Sequence, residues 1–420
     1  GLEIIDMTIN GNNTLKLTLA DLLNLSNTTH TFTIDGDKGD RVVGLMEGWA
    51  VGGIEGNYRI FTNGETVVRV DTDVVTDDRI EVINLAELNG SNGFRTDGVR
   101  SFVSVSNAGD VNGDGIDDVI IGASREDVHG DYTGSSYVVF GKKSGFSATM
   151  ELSNLDGSNG FRLDGVASND RCGSSVSNAG DVNGDGFDDV IIGASGADIN
   201  GNYSGSSYVV FGKKSGFAAT MELSSLDGNN GFRLVGAAGS DASGRSVSHA
   251  GDVNGDGYDY VIIGAAGGSY VVFGKASGFS NSINLSNLDG SNGFRLNGVA
   301  SDGTGFSISS AGDVNGDGFG DVLVAAPWAD PNGEASGSTY VVFGKETGFS
   351  AAMDLSSLDG NDGFRLDGAY SYNGAGFSVS NAGDINGDGF GDVIAGSYRA
   401  GAFSGPTYVV FGRASGFDAT

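Results

Sequence analysis

From about residue 100 the chain alternates two kinds of stretch. Short, almost wholly apolar runs such as Val190-Ile191-Ile192 and Tyr208-Val209-Val210-Phe211 are separated by tracts of Gly, Asn, Asp and Ser. Runs of β-branched and aromatic residues bounded by turn residues predict strands. Runs without a polar alternate predict strands covered on both faces. No stretch keeps a helical period, so the fold class is all-β. Residues 1–79 have a different texture. Thr14-Leu15-Lys16-Leu17, Thr31-Phe32-Thr33-Ile34, Tyr58-Arg59-Ile60-Phe61 and Thr66-Val67-Val68-Arg69-Val70 are set apart by Asn10-Gly11, Asp35-Gly36 and Asn63-Gly64. Half-buried strands with tight turns follow, which predicts a small β domain or connector over 1–79.

Residues 80–420 repeat. Asp-Val-Asn-Gly-Asp-Gly-Ile-Asp-Asp at 110–118 returns, nearly unchanged, at 181–189, 252–260, 313–321 and 384–392. The third copy omits about nine residues after Ala265 that the second copy has, which accounts for its shorter spacing. A period of this length suits a four-stranded unit. In the second copy the strands are expected at Ser174–Val182, Asp189–Ala194, Ser207–Phe211 and Gly231–Leu234. Sequential strands with short connections make an antiparallel meander, the blade of a β-propeller; a string of separate β modules is the alternative. The repeat phase bears on closure. Gly93-Phe94-Arg95 is a fourth-strand sequence with no copy ahead of it, and the chain ends on Tyr408–Phe411 and Gly416-Phe417 with no fourth strand. The expectation is five four-stranded blades closed by the N-terminal strand, or seven if the ring is truncated.

The nine-residue element carries the chemistry. Oxygen-bearing side chains stand at positions 1, 3, 5 and usually 9, with Gly at 4 and 6. A hard cation takes six to eight oxygens, which alternate residues of a tightly curled loop can supply. The sites are expected at Asp110, Asn112, Asp114, the Ile116 carbonyl and Asp118, and at Asp181, Asn183, Asp185, the Phe187 carbonyl and Asp189. Two more use Asp313, Asn315, Asp317, the Phe319 carbonyl and Asp321, and Asp384, Asn386, Asp388, the Phe390 carbonyl and Asp392. The third has Asp252, Asn254, Asp256 and the Tyr258 carbonyl, but Tyr260 at position 9, and should be the weakest. About five Ca2+ ions are expected. An EF-hand is excluded, because Ile121 and a strand-like run stand where Glu and a helix are needed. Acids outnumber bases 54 to 23, and the loops hold 17 of them. The balance of −31 disfavours nucleic acid, whose binders cluster Lys and Arg, and no run can insert in a membrane. One cysteine, Cys172, permits no internal disulfide. His30, His129 and His249 lie in unrelated contexts, and no nucleophile elbow, phosphate loop or zinc spacing appears. Arg162, Arg233, Arg295 and Arg365 hold one strand position and should each serve their own blade. No catalytic residue is expected.

Each copy resembles an FG-GAP repeat, the blade of the integrin α-subunit propeller. Gly305-Phe306-Ser307 and Gly376-Phe377-Ser378 carry the first hallmark in reversed order. Gly-Ala-Ser at 122–124 and 193–195 and Ala-Ala-Pro at 325–327 carry the second. The resemblance implies a propeller with calcium in the turn joining the inner strands, and an extracellular role in adhesion or recognition. The integrin relatives have seven blades. A start without initiator Met or leader suggests a fragment of a longer secreted chain. The copies differ most in the connections from strand two to three and from one copy to the next, which should meet at one end, opposite the calcium loops. Tyr132, Tyr203, Trp328, Tyr370, Tyr372, Tyr398 and Phe403 are candidate contacts there, for a protein or glycan ligand. The alternative is a sheath, filament or surface-layer component that binds copies of itself.

Overall fold

The computed structural model describes residues 4–8, 12–18, 21–22, 31–45, 49–76, 84–99, 103–398 and 405–417. It is built of strands, with short 3-10 turns between them. Contacts divide it into two units, Gly1–Leu88 and Asn89–Thr420.

In the first unit Thr31–Asp35 and Thr66–Asp71 lie side by side at the centre of a five-stranded sheet. Phe32, Ile34, Phe61, Val68 and Val70 are fully buried from it, together with Leu22, Val42 and Leu45. The alternation seen in the sequence is thus the alternation of buried and half-exposed side chains. Asp40 is buried and accepts hydrogen bonds from the backbone of Asn13 and Asp37, which fixes the turn at Asp37–Asp40.

The second unit is a succession of similar sheets. In the second copy strands Ser175–Gly180, Asp189–Ala194, Ser206–Val210 and Gly231–Val235 pair antiparallel in order. The expected strand two coincides with the observed one, and the others shift by a residue or two at their ends. A fifth strand was not anticipated. Ser282–Asn284, from the connection between strands three and four of the third copy, pairs parallel with Gly231–Val235. Thr220–Glu222 does the same for the first copy and Ala352–Asp354 for the third. Each of these copies therefore lends a strand backwards to the sheet before it.

Neighbouring sheets stack face to face. Ile120, Val138 and Phe161 of the first meet Val190, Ile192 and Tyr208 of the second, while Ile191, Val209 and Phe232 on the other face of the second meet Val261, Ile263 and Tyr270 of the third. Strand two and strand three of an inner sheet are covered on both sides, which is why their sequences do not alternate. Burying each such side chain stabilises the fold by roughly 1.5–3 kcal/mol. The fourth-strand Phe stacks on the Gly-Phe of the next copy at every step: Phe94–Phe146, Phe161–Phe217, Phe232–Phe279, Phe294–Phe349 and Phe364–Phe417 have centroids 4.4–4.7 Å apart. A Lys or Arg side chain covers the second ring of each pair, as Lys213 covers Phe217 at 4.9 Å.

Among the described residues the two ends of the succession stay open. Arg95–Asp97, the unattached fourth strand, pairs only with Thr149–Glu151, and Thr407–Val410 pairs only with Asp392–Ser397. The expected closure of the ring is therefore not made among the described residues. Val105 and Val119 are exposed at one end, and Ile385, Val409 and Phe411 at the other. The contact that joins successive loops explains the difference between inner and outer positions. Position 4 glycines Gly113, Gly184, Gly255 and Gly316 take positive φ, and each lies under the position 7 ring of the next copy: Phe187, Tyr258, Phe319 and Phe390. Gly387 of the last loop has nothing against it, and the first loop carries Ile116 instead of a ring.

This contact separates two effects of glycine. Gly184→Ala would place a methyl 2.4 Å from the Tyr258 ring at φ +72°, whereas Gly186→Ala meets no atom within 4 Å at φ +87°. Chemical denaturation should show a loss of about 1–2 kcal/mol for Gly186→Ala, from the left-handed backbone alone. Gly184→Ala should lose clearly more.

Candidate functional site

The five loops hold their polar side chains in one pattern. Asp181 Oδ1 and Asn183 Oδ1 both accept from the Asp185 amide, at 3.0 and 2.9 Å, and Asp181 Oδ2 accepts from Gly186 at 2.8 Å. Asp185 Oδ1 accepts from the Phe187 amide. The same bonds recur around Asp110, Asn112 and Asp114, Asp252, Asn254 and Asp256, Asp313, Asn315 and Asp317, and Asp384, Asn386 and Asp388. Positions 1, 3 and 5 are thus brought together in all five copies, on loops curled by positive-φ glycines.

Position 9 does something the sequence did not reveal. Asp189 is fully buried and accepts from Val182 at 3.0 Å with one oxygen and from Gly212, just past strand three, at 2.9 Å with the other. Asp118, Asp321 and Asp392 make the equivalent pair of bonds. The carboxylate fastens the loop to the end of the third strand. Burial, with two loop acids nearby, pushes Asp118 up to about 7 and Asp321 up to about 8, and Asp189 well above the usual carboxylate range, although their backbone donors pull the other way. These oxygens retain free lone pairs. In the third copy Tyr260 is buried in this place, stacks on Phe273 and donates its hydroxyl to Asp256 at 2.9 Å. That copy substitutes a neutral donor for an anionic acceptor, and the bond occupies an Asp256 oxygen.

Position 8, assigned no role from the sequence, links one loop to the next. Asp188 Oδ2 accepts from the Asp110 amide at 2.7 Å, and Asp259 Oδ2 from the Asp181 amide at 3.0 Å. The fourth and fifth copies have Gly320 and Gly391 here and keep only the backbone bonds, to Asp252 and Asp313.

The strand two-to-three connections are tied to the links that follow their sheets. The amides of Asn169, Arg171 and Cys172 donate to Asp131, Tyr132 and Thr133, and those of Ser240, Ala242 and Ser243 to Asn202, Tyr203 and Ser204. The non-glycine residues with positive φ among the described residues are Tyr132, Asn169, Arg171, Tyr203, Ser240, Ala242, Ala335 and Tyr372, and every one lies in these segments. Tyr132, Tyr203, Trp328, Tyr370, Tyr372 and Tyr398 are each between 43% and 67% exposed; Phe403 lies outside the described residues. Trp328, Phe306, Phe377 and Tyr398 form a row with successive centroids 4.9–5.2 Å apart, and Arg245 lies over Phe306 at 4.8 Å. Phe306 and Phe377 had been singled out only as hallmark residues. Cys172 is buried, its thiol pushed up by burial, and takes no part in this surface. The recurring arginines serve their own sheets: Arg162 pairs with Asp164, Arg365 with Asp367, and Arg295 lies over Tyr270.

The FG-GAP repeat family model matches residues 102–139, 173–210 and 304–342, each running from strand one through strand three. The chain carries FG-GAP repeats. It is similar to integrin alpha-PS5 of Drosophila melanogaster, 31% identical over 169 residues covering 40% of this chain and 15% of that protein. Integrin alpha pat-2 of Caenorhabditis elegans is 32% identical over 245 residues, covering 53% and 18%, and integrin alpha-4 of Xenopus laevis 30% identical over 161 residues, covering 38% and 14%. The chain spans less than one fifth of the length of these relatives. The sheets and loops of copies three and five repeat the strand and loop pattern of the matched segments, with Tyr260 as the third loop's departure. No helix of the described residues is long and apolar enough to cross a membrane.

The loop-to-loop link can be tested by paired variants. Asp188→Ala removes a charged acceptor between copies and should cost about 1.5 kcal/mol in urea unfolding. Asp117→Ala, which removes an exposed carboxylate bonded to Asn107 within its own copy, should cost under about 0.5 kcal/mol.

Proposed function

We propose that the protein is an extracellular, non-enzymatic adhesion or recognition module. In this reading a propeller held by divalent cations presents a ligand surface at the end opposite the cation loops. The observation that carries it is the segregation described above. The recurring acids of positions 1, 5 and 9 gather in the loops, while exposed aromatics and strained backbone gather in the connections and links. Strain kept in non-glycine residues at one end of a rigid scaffold marks a surface whose shape matters, and Tyr and Trp supply contact area at low entropic cost. Similarity to integrin α chains supports the adhesion class, and the ligand proposed is a protein or glycan.

The cation proposed for the loops is Ca2+, held by positions 1, 3 and 5, the position 7 carbonyl and position 9. The chemistry of the donor set supports it: every side-chain donor is oxygen, and buried carboxylates crowded by like charge gain from a divalent ion beside them. At tenfold saturation each site would add about 1.4 kcal/mol to folding. The open ends of the sheet succession favour one second reading, a surface component that adds copies of itself end to end.

Two measurements test these readings. With chelator present, Asp118, Asp189 and Asp321 carry folded-state pKa values above their unfolded ones, so the fold binds more protons than the unfolded chain between about pH 4 and 8. Stability should therefore fall as pH rises through that window, and saturating Ca2+ should flatten the slope; a flat profile in chelator sinks the buried-acid account. For recognition, Trp328→Ala should abolish binding on a ligand array while leaving the melting curve within about 2–4 °C of the parent. A monodisperse monomer in sedimentation across the micromolar range counts against the second reading.

A further inference from the structure

Outside the loops, three side chains converge where the first and second copies meet. His129 comes from the strand two-to-three connection of the first copy, Asp164 from the end of its fourth strand, and Glu222 from the strand lent back by the second copy. Their ligand atoms all lie within 4.8 Å of one another. The parallel register sets Asp164 opposite Glu222, and His129 Nε2 lies 2.8 Å from Glu222 Oε2. Asp164 is 2% exposed and firmly held: Ser135 Oγ donates to it at 2.9 Å, and Arg162 pairs with both its oxygens at 2.8 Å. His129 and Glu222 are a little under half exposed, so the cluster opens to solvent on one side.

The other copies show that this convergence is peculiar to one junction. The counterparts of His129 are Asn200 and Asn332, whose side-chain amides donate to the carbonyls of Gly236 and Gly368 and clamp the following link. His129 gives up that clamp and reaches Glu222, 93 residues away. Between the second and third copies the aligned residues are Asn200, Val235 and Asn284, which offer no imidazole or carboxylate. Between the third and fourth, the connection is deleted and Asn297 bonds Asp354 directly. Charge also favours a cation at the first junction. Arg162 is drawn to Glu126 as well as Asp164, so one guanidinium stands against Asp164, Glu222 and Glu126.

We propose that His129, Asp164 and Glu222 bind a divalent transition-metal ion of the zinc class, separate from the loop sites. One imidazole nitrogen and two carboxylates are the donors of a three-ligand zinc site with a position left to water. The imidazole selects against Ca2+ and Mg2+, which take oxygen ligands. Arg162 and Ser135 orient Asp164 as outer partners of a metal-bound carboxylate. Because the ligands come from two copies, the ion staples the first junction in a chain whose lone cysteine permits no internal disulfide.

The test uses the whole chain with its loops saturated by excess Ca2+, titrated with Zn2+ against a chromophoric zinc chelator. One Zn2+ per chain is expected. His129→Ala and Glu222→Gln should each weaken it at least about tenfold, while His249→Asn, which removes the other described imidazole and restores the residue found at aligned positions, leaves it unchanged. Circular dichroism of the metal-free variants checks that they fold, and Co2+ in place of Zn2+ should give a visible absorption band that His129→Ala removes. No saturable Zn2+ binding in excess Ca2+, or equal affinity in folded His129→Ala, overturns the proposal.

Discussion

The repeat region depends on the position 9 aspartate. Asp118, Asp189, Asp321 and Asp392 are buried at the base of a curled loop, each holding one amide of its own loop and one beyond the third strand. A carboxylate in that position fixes where strand one ends, how the loop turns into strand two, and where strand three stops. At Asp118, Asp189 and Asp321 it also brings an anion out of water beside two loop acids, which raises its pKa and costs stability while it stays charged. The fold resolves this conflict in the third copy by replacing the acid with Tyr260. In the other four, the divalent cation proposed above would act as the counterweight.

Contacts between copies follow from the same loop. Its position 4 glycine makes room for the next copy's position 7 ring, and its position 1 amide or carbonyl receives the next copy's position 8 residue. Each contact needs a loop on both sides. Ile116, with no loop before it, and Gly387, with none after it, are therefore the positions that break the pattern. Val105 and Val409, on the first and last sheets, are exposed, whereas the matching positions of inner sheets are covered by a neighbour. The opposite end is free of these demands, and there the copies differ in length, strain and aromatic content.

Much of this was legible because it repeats. Strand two at Asp189–Ala194, the loop register and the all-β build follow from periodicity that five copies state together. Most of what escaped had one cause. A linear pattern shows which residues recur, but not which neighbour they touch. Thr220–Glu222 looked like part of a connection, because a strand of three residues pairs with the preceding sheet rather than its own. The Asp at position 8 and the ring at position 7 recur visibly, yet their partners sit 64 to 78 residues earlier. The His129 cluster escaped for the opposite reason: it occurs once, at residues where other copies carry Asn or Val. Closure of the ring was inferred from matching strand sequences at the two ends, and matching sequence does not bring the ends together.

Calcium in the loops, ranked by position 9, is the central claim. Crystals grown with Ca2+ and measured at a wavelength where calcium scatters anomalously test it most directly. The account predicts strong anomalous peaks in the loops at Asp110, Asp181, Asp313 and Asp384, and a weak peak or none at Asp252. Equal peaks in all five loops would contradict the role given to position 9, and no peaks at all would contradict the cation itself.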